Sequence, residues 1–165
     1  SESRRDDGIV PVRGIRENAS LASLKNYIFG GYTHHKKEFQ EVQEMFQKMN
    51  VKAPSLETEI SKLSGGNQQK VLLTRWMLCS PDVMILDEPT RGIDIGAKFE
   101  IYKLMTDIVK EQKAVIMVSS ELPELLGMCD RIYIMCQGRI TGCIGREDFS
   151  QETIMRYATG VAAQG

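Results

Sequence analysis

The chain has 165 residues, of which 42% are hydrophobic and 26% are charged, and its 21 basic and 22 acidic residues give a net charge of −1. This composition is typical of one soluble globular domain, and the balanced charge excludes a surface that attracts nucleic acid or anionic membranes as a whole. No apolar run approaches the roughly eighteen residues that cross a bilayer, and the four cysteines lack metal-site spacing, so we expect reduced, half-buried thiols in a cytosolic protein.

Residues 1–80 are predicted to be mainly helical. A short helix is expected over 20–27, ended by Gly30 and Gly31. The next helix, over 38–49, repeats Phe, Val and Met every three or four positions, so this apolar stripe is expected in the core. After a connector, a third helix is predicted over about 67–79, with Leu72, Trp76 and Cys79 on one row.

The remainder alternates strands with helices, the pattern of an α/β fold. The uninterrupted apolar run at 83–86 predicts a strand buried on both faces of a parallel sheet, and 114–118 predicts its partner. Asp94 is expected to cap the long helix between them. Three further elements are predicted: a short helix after residue 120, a strand pair at 131–136 and 139–144, and a terminal helix at 151–158.

The run Leu63-Ser64-Gly65-Gly66-Asn67-Gln68-Gln69-Lys70 has the features of an anion-binding loop at a helix N-terminus. Glycines let backbone N–H groups approach a ligand oxygen, and the positive end of the helix dipole favours phosphate there. The Ser64 hydroxyl adds a donor. Taken alone, the same residues are also compatible with an ordinary capped helix start.

Asp87 and Glu88 directly follow the first predicted strand. The carboxyl ends of parallel strands are where α/β proteins place their ligands. One carboxylate could hold Mg²⁺ through its water shell while the other orients an attacking water. Taken alone, the pair is also compatible with a polar loop entry.

The chain carries the run LSGGNQQ, then a predicted helix, then the run VMILDEPT. This order resembles that of the ATP-binding-cassette ATPases, in which a signature loop precedes the Walker B strand. Arg91-Gly92-Ile93-Asp94 then matches the D-loop and Val118-Ser119-Ser120-Glu121 the switch loop. The longer runs LDEPTRGIDIGAKFEIY and SSELPELLGMCDRI resemble the second cassette of the tandem ATPase subunits of bacterial monosaccharide importers, of the ribose and galactose or methylgalactoside type.

This resemblance implies an α/β fold, a partial P-loop NTPase cassette whose parallel-sheet core fragment lacks the Walker A part and carries a mainly helical signature subdomain. Residues 1–80 would be that subdomain, and 81–165 would hold the Walker B strand, D-loop and switch loop. The chain would be the C-terminal portion of a second cassette, with Glu2 to Arg4 at or near the Q-loop.

The resemblance also assigns roles to residues. Asp87 would bind Mg²⁺ through water, and Glu88 would activate the attacking water. The signature loop would contact an ATP that the Walker A loop of another cassette holds. The nucleotide-site residues of this chain would be Ser64, Gly65, Gly66, Gln68 and Asp94. Asp94 would also communicate with the other cassette.

Two departures from the family pattern stand out. Ser120 occupies the position of the switch histidine, so a hydroxyl replaces an imidazole and the hydrolytic strength of the Glu88 site is in question. No G-x-x-x-x-G-K-[ST] run, the loop that cradles a triphosphate, occurs in the sequence. The family layout places that loop upstream of Ser1, so we expect the isolated chain to be inactive as an ATPase.

The expected partners are a first cassette of the same subunit or a second copy, permease membrane subunits and, indirectly, a sugar-binding protein, with no nucleic acid. The location would be the cytoplasmic face of the bacterial inner membrane. Two alternatives remain: a non-transport cassette ATPase acting on ribosomes or DNA, which predicts basic patches, and a non-enzymatic module that docks on a permease.

Overall fold

Two units make up the described part of the computed structural model, which covers residues 8–160; the first runs to Val118 and the second starts at Ser119. The segment Glu2 to Arg4, predicted near the Q-loop, lies outside the described residues. The predicted division at residue 80, between a helical subdomain and the α/β part, stays a prediction.

The first unit begins with helices, as predicted. They are α1 (Ile15–Ser20), a 3-10 helix (Leu21–Tyr27), α2 (His35–Lys48), a 3-10 turn (Ile60–Lys62) and α3 (Gly65–Met77). A two-stranded hairpin that the sequence analysis did not predict, β1 (Ile28–Phe29) and β2 (Tyr32–Thr33), precedes α2 and turns at Gly30 and Gly31. The helices enclose an apolar core formed by Ile9, Ile15, Ala19, Val42, Phe46, Ile60 and Val71.

The predicted apolar faces of α2 and α3 are only partly correct. On α2 the buried row is Glu38, Val42, Phe46 and Met49, whereas Phe39 lies one position around the helix and is exposed. On α3, Trp76 is 52% exposed. The second half of α3 has apolar residues on several sides of the helix, so periodicity alone could not identify the row that packs.

A parallel strand pair follows, formed by β3 (Val83–Asp87) and β4 (Ala114–Val118), with Val83 opposite Ala114 and Asp87 opposite Val118. Helix α4 (Ile95–Lys110) connects the strands and packs along β4. Met84 and Leu86 are buried, but Ile85 is 69% exposed. The prediction of burial on both faces is therefore wrong for the described residues, because α4 covers one face only.

The second unit contains α5 (Leu122–Met128), an antiparallel pair β5 (Arg131–Cys136) and β6 (Arg139–Gly145), and α6 (Gln151–Ala158). The pair turns at Gln137 and Gly138, whose φ angles of 48° and 75° are both left-handed, as a tight two-residue hairpin requires. Its core is formed by Ile132, Ile134, Ile144 and Ile154. The predicted elements of this unit are confirmed.

The four cysteines are free thiols. Cys129 and Cys136 are partly buried, as predicted, whereas Cys79 and Cys143 are exposed. Burial raises the pKa of the Cys129 thiol above its ordinary value. None of the helices in residues 8–160 combines the length and the apolar character needed to cross a membrane.

A buried polar network joins the N-terminal segment to α3. The Asn18 side chain, 1% exposed, accepts from the Val10 N–H at 2.8 Å and donates to the carbonyl oxygens of Val10, Arg13 and Gly14. The Arg75 guanidinium donates to the Asn18 carbonyl at 2.7 Å and to Asn18 Oδ1 at 3.2 Å. Desolvation lowers the pKa of Arg75 below its ordinary value, so these acceptors compensate a buried cation.

A second network surrounds Lys70 of α3, and we call it the Lys70 clasp: Lys70, Asn50 and Glu100. The Lys70 ammonium pairs with the Glu100 carboxylate of α4 and donates to the Asn50 carbonyl at 2.8 Å. The Asn50 amide donates to the other Glu100 oxygen at 3.3 Å. Asn50 follows the end of α2 in a left-handed conformation with φ 49°, so the clasp joins α2, α3 and α4.

Replacing Asn18 by Ala should lower the free energy of unfolding by about 2 kcal/mol, because it leaves buried carbonyl groups and the Arg75 guanidinium short of partners. Urea unfolding of the 165-residue chain measures this, with the exposed Asn26→Ala variant as the matched control. A loss no larger than that of the control would contradict the structural role of Asn18.

The clasp also predicts a pH dependence. The hydrogen bond from Lys70 lowers the pKa of Glu100 below its ordinary value. A lowered folded-state pKa contributes stability above the unfolded-state pKa, about 4.3, and this contribution is lost as pH falls through the folded-state pKa. Urea titrations from pH 6 to pH 3 should therefore show a steeper loss of stability for the wild type than for Glu100→Gln.

The control for this titration is Glu44→Gln, which removes the same charge from the exposed surface of α2. This variant leaves the Lys70 clasp intact, so the difference between the two variants reports on Glu100. Parallel profiles for the wild type and Glu100→Gln would contradict the lowered pKa of Glu100.

Candidate functional site

The predicted anion-binding loop lies at the N-terminus of α3. Ser64 is the N-cap, extended at φ −61° and ψ 156°. Its Oγ accepts hydrogen bonds from the Asn67 N–H at 3.5 Å and from Asn67 Nδ2 at 3.0 Å. Because both contacts use the oxygen as an acceptor, the hydroxyl proton is the part of the group that can be donated to a ligand oxygen.

Gly66 lies where the loop meets the beginning of α4. A Cβ atom on Gly66 would lie 2.6 Å from the Cβ of Ala97, 3.7 Å from Ile93 Cγ2 and 3.9 Å from Asp94 Oδ2. The first distance is a clash, so only glycine allows α3 and α4 to approach this closely. The structure thus places the loop beside Asp94.

Gln68, which the sequence analysis assigned to the nucleotide site, is buried on the inner side of the loop. Its Nε2 donates to the carbonyl oxygens of Ile60 and Leu63, both at 3.2 Å. These two bonds fix the segment that leads into Ser64. A direct contact between Gln68 and a ligand stays a prediction.

The carboxylates after β3 lie at the carboxyl end of the strand pair. Asp87 is exposed and Glu88 is partly buried. The Glu88 N–H donates to the Val118 carbonyl at 2.9 Å, which continues the parallel ladder. Glu88 has φ 45°, a left-handed conformation that is costly for a residue with a side chain.

Two tight turns lead from this strand end to α4. The N–H of Arg91 donates to the Glu88 carbonyl, and that of Ile93 to the Thr90 carbonyl, both at 3.2 Å. Asp94 then caps α4, accepting from the Ala97 N–H at 2.9 Å, as predicted. The strand end and the cap of α4 are thereby linked by seven residues of closely hydrogen-bonded chain, 88–94.

The donor set at this strand end suits Mg²⁺ held through water. Residues 8–160 contain no group of three or more His, Cys, Asp or Glu side chains arranged to hold a metal ion directly. Mg²⁺ keeps several waters and needs only one or two carboxylates when substrate phosphates complete its shell. The exposed Asp87 carboxylate fits such a contact.

Ser120, at the switch-histidine position, belongs to the second unit. It lies between β4 and α5 in the chain. The neighbouring Ser119 hydroxyl donates to the Glu124 carboxylate and accepts from the Glu121 N–H at 3.1 Å. These contacts order the start of α5, and the role of Ser120 stays a prediction.

The sequence analysis missed the supporting residues Asn67 and Lys70. The Asn67 side chain holds Ser64 and accepts from the Lys52 N–H at 2.8 Å. The Lys70 side chain is 2% exposed. A signal was available, since Lys70 precedes Leu73 and Met77 at helical spacing, and a lysine on an apolar row needs a buried partner.

Comparisons with known proteins agree with these features. The chain is 50% identical, over 160 residues, to the galactose/methyl galactoside import ATP-binding protein MglA of Clostridium tetani, covering 96% of this chain and 32% of the relative. It is 48% identical to the xylose import ATP-binding protein XylG of Geobacillus kaustophilus, covering 97% of this chain and 32% of that relative. The chain thus spans about a third of the length of these relatives.

The fold matches that of a solved cassette. The dimeric structure of MJ0796, a bacterial ABC transporter cassette, superposes with a TM-score of 0.72 at 19% identity, over 90% of this chain and 62% of the cassette. At this identity the likeness concerns the fold alone. It confirms the predicted α/β class, a partial P-loop NTPase cassette with a helical subdomain.

A family profile described as ABC transporter matches residues 4–91, which is more than half of the chain. The match contains both the Ser64–Gly66 loop and the Asp87–Glu88 pair. The resemblance inferred from LSGGNQQ and VMILDEPT is therefore confirmed. This chain belongs to the ABC transporter family of ATP-binding proteins.

Proposed function

We propose that this chain is part of the ATP-hydrolysing subunit of a bacterial sugar importer. The observation that carries the proposal is the position of Gly66 beside Asp94, with 3.9 Å between its Cβ position and Asp94 Oδ2. The loop that would contact a γ-phosphate and the carboxylate that would face another cassette then share one surface. The relatives named for galactose, methyl galactoside and xylose import support a monosaccharide as the cargo.

In this proposal the chain contributes to two nucleotide sites. Ser64 Oγ and the N–H groups of Gly65 and Gly66 bind the γ-phosphate of an ATP whose triphosphate is cradled by another cassette, either the first cassette of the same subunit or a second copy. A helix N-terminus favours this contact because its N–H groups and dipole attract an anion. Gln68 supports the loop through its hydrogen bonds to the carbonyl oxygens of Ile60 and Leu63.

The strand end serves the other site. Asp87 would hold the water shell of Mg²⁺, which when bound neutralises phosphate charge, and Glu88 would orient the attacking water. Asp94 would link the two sites. It caps α4 next to the signature loop, and the turns at 88–94 connect it to Glu88. Ser120 replaces the family's histidine and would weaken hydrolysis at the Glu88 site.

The remaining partners follow from the importer hypothesis. Hydrolysis would drive movement of permease membrane subunits, which receive sugar from a sugar-binding protein. The chain would act at the cytoplasmic face of the bacterial inner membrane. The relatives from Clostridium tetani and Geobacillus kaustophilus are import ATP-binding proteins, which favours sugar import over an action on ribosomes or DNA.

In the complete ATPase subunit, Ser64→Ala should lower kcat for ATP hydrolysis by about tenfold or more, because it removes a preorganised donor to phosphate oxygen. Glu88→Gln should cost less than the equivalent change in the first cassette, since Ser120 already weakens the Glu88 site. Steady-state phosphate release measures both losses.

Ser61→Ala is the matched control, because Ser61 is exposed in the preceding 3-10 turn and should leave kcat unchanged. An undiminished kcat for Ser64→Ala would contradict the role of the signature loop. A loss for Glu88→Gln equal to or larger than that of its first-cassette counterpart would contradict the weak Glu88 site.

The 165-residue chain alone should not bind a labelled ATP analogue with micromolar affinity, with or without Mg²⁺, since its sequence supplies no G-x-x-x-x-G-K-[ST] cradle. The complete subunit should bind it. Equilibrium titration monitored by fluorescence anisotropy compares the two, and micromolar, Mg²⁺-dependent binding by the chain alone would contradict the shared-site hypothesis.

A further inference from the structure

Lys70 is a buried cation one helical turn after the signature loop. Only 2% of its side chain is exposed, and its ammonium contacts Glu100 of α4 and the Asn50 carbonyl at 2.8 Å. Burying an ammonium is unfavourable unless it is paired and hydrogen-bonded. The clasp meets both conditions, because it supplies a carboxylate and a carbonyl oxygen.

The clasp is one contact between α3 and α4, and the close approach at Gly66 is another. Gly66 and Lys70 are four residues apart and therefore lie on the same face of α3. On α4, Ala97 and Glu100 are three residues apart and also share a face. The first contact is the close approach of Gly66 to Ala97, and the second is the Lys70–Glu100 pair.

Two contacts one turn apart fix both the spacing of the helices and their rotation about each other. The Gly66 contact sets the distance between the two helices at one point, and α3 also packs against α1 and α2. The Lys70–Glu100 pair adds a second restraint on the angle between α3 and α4, and the Asn50 amide, which donates to Glu100 at 3.3 Å, restrains the carboxylate as well. The Ser64–Gly66 loop is thereby held next to Asp94.

The charges favour a positioning role over a purely stabilising one. An apolar pair of similar volume often stabilises a buried position as well as an ion pair does, whereas an ion pair specifies one geometry. Elsewhere in the unit Lys48 pairs with Glu111, and side chains that are 51% and 40% exposed form a pair that contributes little. The two pairs share the same chemistry and differ in the burial of the lysine, because Lys70 is 2% exposed whereas Glu100, at 38%, is about as exposed as Glu111.

We propose that Lys70 is a positioning residue of the nucleotide site: through Glu100 and Asn50 it holds the signature loop at a fixed angle to Asp94, so that phosphate bound at the loop is coupled to the D-loop. This inference rests on the proposed function. Lys70 does not touch the nucleotide. Its loss should reduce the rate of hydrolysis in the closed state without weakening the binding of ATP, which the Walker A cradle provides.

The test compares Lys70→Met with wild type in the complete ATPase subunit. Met keeps the length of the side chain and removes its charge. The kcat for ATP hydrolysis should fall at least tenfold while KM for ATP changes less than twofold. Lys70→Arg, which keeps the charge and can donate to both acceptors, should restore kcat to within about threefold of wild type.

Lys48→Met is the matched control, because it breaks an exposed Lys–Glu pair of the same chemistry and should leave kcat and KM unchanged. If Lys70→Met does not fold, Glu100→Gln replaces it, since Lys70 keeps its Asn50 bond there. That variant should lower kcat at least threefold at constant KM. An unchanged kcat in Lys70→Met, or in Glu100→Gln where it is the variant used, would overturn the inference, as would equal losses in Lys70→Met and Lys70→Arg.

Ser64→Ala separates this inference from the proposed function. If Ser64→Ala lowers kcat and the clasp variants do not, the positioning role fails while the proposed function stands. If Ser64→Ala leaves kcat unchanged, the proposed function fails. Amide hydrogen exchange at residues 65–67 of the 165-residue chain then tests the clasp separately. Exchange should be faster in Lys70→Met than in Lys48→Met. Equal rates would show that Lys70 does not order the loop.

Discussion

The close approach of α3 to α4 at Gly66 and Ala97 is the contact on which the candidate site depends. It requires a glycine, since any Cβ at position 66 would meet Ala97 at 2.6 Å. The same glycine is what a backbone needs to approach a phosphate oxygen. Helix packing therefore accounts for the glycine at position 66, and in the proposed function the same residue also lets the backbone approach phosphate.

Much of the site could be predicted from sequence because its parts are local. Ser64 before two glycines indicated a helix start, Asp94 before a long amphipathic run indicated a cap, and an apolar run ending in Asp87 indicated a strand. Each of these features depends on neighbours within a few positions of the chain. The α/β class followed from their order.

The features that escaped prediction depend on contacts distant in sequence. Lys70 pairs with Glu100, thirty positions later, and periodicity shows only that such a lysine needs some partner. The packed faces of α2 and α3 were predicted only in part, because Phe39 and Trp76 are as apolar as the residues that are buried. Similarly, an apolar strand such as β3 does not reveal how many of its faces are covered.

The left-handed backbone of Glu88 has a consequence for selection. A residue with a side chain pays about 1 kcal/mol or more to hold a φ of 45°, whereas glycine does not. The backbone conformation at position 88 therefore favours glycine, so the glutamate found there is explained by its side chain and not by the turn that it forms.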